Sequence, residues 1–202
     1  MVSDLDMISV AVAEQVGVEC CAITLMGRTV DGSDALAADL EDWQFVLAEG
    51  PAVACYRSLR PVEHPDVRSI VEHFPLLAEH LIRAGIRSTA AFPILHGSQC
   101  VGTITFYSKE PRRLRKHQRR VAGRWARDVA RSVDNDVETW ATRRYRVTAD
   151  FDVATGCVIA SSEVDAVTAA TIIRAHAYAD ATSLRAVCRS IVHDGLVLHA
   201  EQ

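Results

Sequence analysis

Apolar and polar residues alternate along this chain in several distinct periods, and the longest regular stretch lies just past the middle. Between residues 114 and 145 there is no proline and a single glycine, Gly123. Apolar side chains recur at Leu114, Val121, Trp125, Val129, Val133, Val137 and Trp140. Steps of three and four keep them on one stripe, with Arg119, Arg120, Arg124, Arg127 and Arg131 mostly to its sides, which predicts a helix. At 1.5 Å per residue it would run about 50 Å, more than one small domain can cover. A partner helix is therefore expected on the stripe, with Val121, Trp125, Val129, Val133, Val137 and Trp140 as the seam of a coiled-coil-like homodimer. The alternative is a helix folded back on its own domain.

The pattern before this helix mixes the two periods. Residues 5–16 repeat Leu5, Ile8, Val12 and Val16 at helical spacing, and Gly17 stops them. Residues 20–26 predict a buried strand, 31–42 a loop or a poorly formed second strand, and 43–47 a strand ending at Gly50-Pro51. A helix over 51–59 follows, then an edge strand at 60–62, since Pro61 cannot donate to a central ladder. One helix is expected over 69–84, capped by Asp66 or Ser69 and ended by Gly85. Residues 87–95 and 100–107 pair as an antiparallel hairpin across His96-Gly97-Ser98-Gln99. Beyond the long helix, 151–160, 164–178 and 184–192 each show helical spacing, enough for a minimal three-helix bundle. The fold class is α+β, divided as 1–112, a connector over 113–147, and 148–202.

Two groups of residues resemble known families. Gln44-Phe45-Val46-Leu47-Ala48-Glu49-Gly50-Pro51, Arg60-Pro61-Val62, Gly85 to Ile94 and Val101 to Tyr107 resemble a bacterial GAF sensor domain over roughly residues 5–130. The resemblance implies an antiparallel sheet of five or six strands between helices, pairing through the terminal helices, and either an unidentified small-molecule ligand on one sheet face or none. Trp43, Phe45, Phe92 and Phe106 are the candidate linings, under the segment 50–68. The asparagine-lysine-phenylalanine-aspartate-glutamate signature of cyclic-nucleotide binders is not apparent, so that ligand is not carried over. Further on, Ala154-Thr155-Gly156-Cys157-Val158-Ile159, residues 169–177 and residues 184–192 resemble the ANTAR domain. That resemblance implies a three-helix module that binds RNA hairpins and prevents transcription termination, with Thr155, Gly156, Arg174, Arg185 and Arg189 as the candidate RNA contacts. A GAF domain followed by ANTAR implies a signal-sensing regulator; the alternative is a sensor or scaffold whose last module contacts protein.

Composition narrows the field. With 49% apolar and 24% charged residues, the 202-residue chain can bury a real core. No apolar run approaches membrane-spanning length, the start carries Asp4 and Asp6 rather than basic residues, and a cytoplasmic location is expected. The six cysteines are scattered, with no CxxC, and are expected to be reduced thiols. Eight histidines show neither HExxH nor a Cys/His cluster, and Ser98 lacks a nucleophile-elbow pattern, so no catalytic residue, metal ligand or cofactor is assigned. Charge is uneven: residues 1–108 are net −8, 109–146 net +8, and 147–202 net −4, with 3 Lys and Arg against 7 Asp and Glu. An RNA-binding surface needs cations, and the basic charge sits in the connector.

Overall fold

The computed structural model describes the backbone of residues 8–25, 28–135, 137–180, 182 and 184–198, and the same side chains except 28–31, 133–135, 137–149 and 185. The chain falls into two compact units, Met1–Trp140 and Ala141–Gln202.

The first unit is built on a five-stranded sheet of order β2-β1-β5-β4-β3, formed by β1 (Cys20–Leu25), β2 (Arg28–Gly32), β3 (Val62–His64), β4 (Ser88–His96) and β5 (Gln99–Ser108). All its pairings are antiparallel. The expected hairpin is β4–β5, with Ala91 opposite Thr105 and His96 opposite Gln99, and β3 takes the predicted edge position. Alternation along the strands sends residues to two cores. Cys21, Ile23, Phe92, Ile94, Ile104 and Phe106 face one layer, and Cys20, Ala22 and Tyr107 the other.

Helices α1 (Ile8–Val16) and α6 (Lys116–Asn135) cover the first face. The predicted coiled-coil seam is corrected here: Val129 is 2% exposed inside the domain's own core, and Val121 and Trp125 pack against that core. Ala122, Ala126 and Ala130 complete the inward side, their small side chains letting the helix settle close to the sheet. Val133, Val137 and Trp140 lie outside the described side chains. Polar ties hold α6 in place. Arg119 makes a two-pronged ion pair with Glu63 of β3, at 2.7 and 3.1 Å, and Trp125 Nε1 donates to Gln15 Oε1 at 3.1 Å. Gln118 accepts from Arg115 N–H at 2.7 Å, which caps the helix, and donates to the Val16 carbonyl at 2.6 Å.

The second face carries α2 (Ala35–Leu47), α3 (Pro51–Ser58), α4 (Val67–His73) and α5 (Pro75–Arg83). The expected strand over 43–47 and loop over 31–42 are instead one helix. Asp34 caps it, accepting from Ala37 N–H at 2.8 Å, and Ala37, Leu40, Glu41 and Gln44 form its buried side. The helix expected over 69–84 is two. Asp66 caps the first through Ser69 N–H at 2.8 Å, and Pro75 pushes Phe74 to φ −137°, out of helical geometry. Pro75 then opens the second helix, whose free Leu76 and Leu77 N–H groups donate to Glu49 Oε1 at 2.8 and 3.0 Å.

At Gly102 the backbone of β1 leaves no room for a side chain: a Cβ there would lie 2.0 Å from the Thr24 carbonyl oxygen and 3.0 Å from Leu25 Cα. Both obstacles are backbone, so Gly102→Ala should force β1 and β5 apart and cost at least ~2 kcal/mol in chemical denaturation.

Helix α7 (Val137–Ser162) runs from the end of the first unit into the second, where α8 (Ala166–Ala179) and α9 (Leu184–His193) follow. Phe151, Ala154, Val158, Ala169, Ile173, Ala177, Leu184, Val187, Cys188 and Ile191 are buried, at the three- and four-residue spacing read from the sequence. Asp165 caps α8 through Thr168 N–H at 2.7 Å. No single helix is long and apolar enough to cross a membrane.

Candidate functional site

The four aromatics expected to line one pocket are divided by the sheet. Phe92 and Phe106 meet edge to face, 5.8 Å between centroids, in the core beneath α1 and α6. Trp43 belongs to α2 on the opposite face, stacked on His80 at 3.9 Å, and Phe45 is half-buried on the same helix. The misplaced strand caused the error, since aromatics on a strand and on a helix over its far face cannot converge. A shallow recess on the α6 side is lined by Val18, Glu63, Ser88, Thr89, Arg112 and Leu114, and of the four aromatics only Phe106 reaches it.

What the sheet's second face holds instead is a buried polar network that sequence reasoning missed. Glu41, 4% exposed, accepts from Tyr107 Oη at 2.6 Å and Gln44 Nε2 at 2.9 Å on one carboxylate oxygen, and from Thr24 Oγ1 at 2.9 Å on the other. Gln44 Nε2 also donates to Tyr107 Oη at 2.7 Å. Its Oε1 accepts from Ala52 N–H at 2.8 Å, so one amide closes the network and caps α3. Gly50 makes room for this: a Cβ there would lie 2.4 Å from Gln44 Oε1, and the residue sits at φ +140°. The Thr105 hydroxyl is buried beside the carboxylate, near enough to favour its charge but without a hydrogen-bond partner. Glu41 and Gln44, three apart after an Asp cap, were the available signal: on a helix they share the face that Ala37 and Leu40 bury.

Burial dominates the chemistry of this region. It pushes the Glu41 carboxyl above its ordinary value, against the lowering effect of Tyr107, Thr105 and Thr24. Burial, and then the Glu41 charge, raises the Tyr107 phenol. Burial also lifts the Cys20 and Cys55 thiols to about 12, so both stay protonated at neutral pH and are poor nucleophiles. Among the described residues no three His, Cys, Asp or Glu side chains could hold a metal ion. His64 bonds Ser69 Oγ at 2.9 Å and packs 4.8 Å from the His73 ring, and its pKa is lowered by burial and by His73.

The candidate RNA contacts differ among themselves. Thr155 Oγ1 donates to the Phe151 carbonyl at 2.7 Å, one turn back in its own helix. Arg174 is half-buried, its guanidinium 5.8 Å from the centre of the Phe151 ring, and burial lowers its pKa. Gly156 and Arg189 are exposed, and the Arg185 side chain lies outside the described residues.

An antiparallel sheet with helices on both faces defines the first unit as a three-layer α+β domain. The GAF domain family matches residues 4–133, and the chain belongs to that family. The match ends at residue 133 and carries nothing about the residues beyond. Solved structures agree on the fold. A domain of a protein described as a two-component sensor histidine kinase from Sinorhizobium meliloti aligns with TM-score 0.53 at 17% identity, over 69% of this chain and 94% of that one. The GAF domain of a phosphoenolpyruvate-protein phosphotransferase from Acinetobacter gives 0.52 at 14%, over 68% and 84%. Free methionine-R-sulfoxide reductase from Neisseria meningitidis gives 0.52 at 14%, over 68% and 80%. No curated protein matches the chain by sequence.

Proposed function

We propose that this GAF-domain protein is a non-enzymatic, cytoplasmic signal-sensing regulator whose GAF domain takes a small-molecule signal and whose C-terminal helical unit binds RNA hairpins to control transcription termination. The observation that carries the reading is the order of elements: a GAF domain, then helices α7, α8 and α9 on the residues that resemble ANTAR, with Gly156 and Arg189 exposed. On this reading a ligand on the second sheet face would act by drawing Gln44 away from the α3 N-terminus, the contact that joins α2 to α3.

Arg189 is the residue to test, because Arg174 is occupied over Phe151. In gel-shift titrations of the full chain with a two-hairpin RNA, Arg189→Ala should weaken binding about tenfold, as expected for one charged phosphate contact. No shift by the folded wild type at low salt would overturn the reading. A second reading, in which the helical unit contacts protein, draws on Val153, Val167, Tyr178 and Val197, which are large, apolar and 49 to 77% exposed. An absent RNA shift is its expected result.

A further inference from the structure

We infer that the outward face of α6, on the GAF domain itself, is a phosphate-binding surface that supplies most of the electrostatic contact with RNA; the inference rests on the RNA-binding reading above. Residues 112–131 hold nine Lys and Arg against one acid, Asp128. The inward side of α6 is spent on the domain core, so its cations are driven outward. Lys116, Arg120, Arg124, Arg127 and Arg131 are all exposed, and at 100° per residue they fall within an arc of about 80°. Along the axis they follow one another every three or four residues, about 5 to 6 Å apart, over a stripe of about 22 Å.

A regular row of like charges fits a regular row of opposite ones, which a nucleic-acid backbone offers and a folded protein's scattered carboxylates do not. Four of the five are arginines, whose planar fork pairs with phosphate oxygens on two prongs. Asp128 is shared between Arg124, at 3.5 Å, and Arg131, at 3.2 Å. Exposed pairs of this kind are weak and give way to phosphate readily. The stripe has no apolar side chain of its own to enter a bilayer, so a membrane surface is the poorer match. Residues 147–202 are net −4, so the stripe on α6 is the larger source of phosphate-directed charge.

The test is the salt dependence of two-hairpin RNA binding by the full chain. Relative to wild type, the triple variant Arg120→Ala, Arg124→Ala and Arg127→Ala should bind at least about tenfold more weakly at 50 mM salt, and its slope of log affinity against log salt should be shallower by about 2 to 3. The matching triple lysine variant should keep most of the slope. Circular dichroism should show equal melting for all three, because the side chains are exposed. Wild-type affinity and slope in the alanine variant, with binding still sensitive to Arg189→Ala, overturns the stripe and leaves the RNA reading standing. Loss in the alanine variant with no effect of Arg189→Ala supports the stripe and removes the helical unit's role. Displacement of the RNA by polyglutamate at equal charge concentration marks a dock for acidic protein and overturns the inference, and absence of wild-type binding at 25 mM salt overturns both.

Discussion

Val129→Asp should destabilise the GAF domain rather than split a dimer. Val129 is 2% exposed, enclosed by the sheet, α1 and the alanines of its own helix, in a cluster of apolar side chains. An unpaired carboxylate there costs several kcal/mol or forces the core open. For a domain of this size a loss of about 3 to 4 kcal/mol lowers the melting temperature by on the order of 10 °C. The exposed control Arg127→Asp should melt as wild type does. If Val129→Asp keeps the wild-type melting temperature and light scattering reports half the wild-type mass, the stripe is an intermolecular seam.

Glu41 offers the second large effect, and its pH dependence differs with the replacement. Glu41→Ala leaves the Tyr107 phenol, the Gln44 amide and the Thr24 hydroxyl without their buried acceptor, at a cost of roughly 2 to 4 kcal/mol. Glu41→Gln keeps an acceptor oxygen for Tyr107 and turns the other contact into an N–H donated to Thr24. The pH dependence separates the two causes. Burial raises the folded-state pKa above the ordinary value of 4.5, so the folded chain holds this proton more tightly than the unfolded one. Its stabilising contribution is full below about pH 4.5 and falls as pH rises through the raised value. Chemical denaturation of wild type and Glu41→Gln from pH 4 to 8 should show the glutamine variant gaining stability relative to wild type as pH rises through that window. A constant difference would mean that the carboxyl titrates alike folded and unfolded.

Most of the first unit was readable from the chain because local signals and tertiary demands coincide there. The β4–β5 hairpin follows from alternation around a Gly-containing turn and α3 from Gly50-Pro51, while the edge strand expected over 60–62 begins just past Pro61, at Val62–His64. The errors fall where the two kinds of signal part. In α2 the inward positions Glu41 and Gln44 are polar, so the apolar period was broken by the residues that carry the buried network, and Trp43-Gln44-Phe45-Val46 passed for a strand. The break in the helix expected over 69–84 was legible in Pro75. The seam in α6 failed for another reason: periodicity says that a stripe is buried, but not by what. Alanines at 122, 126 and 130 widen the stripe beyond a coiled-coil seam, and that width was the available signal. The candidate ligand pocket inherited the error in α2, and the basic stripe emerged once the inward side of α6 was known.

Arginine footprinting tests most directly which arginines RNA covers. The full chain would be treated with phenylglyoxal with and without saturating two-hairpin RNA, and modification read at each arginine by mass spectrometry. Protection of Arg120, Arg124 and Arg127 on α6 together with Arg189 on α9, against unchanged reactivity at exposed Arg68 and Arg83, is the predicted result. Equal modification of all these arginines with and without RNA would contradict it.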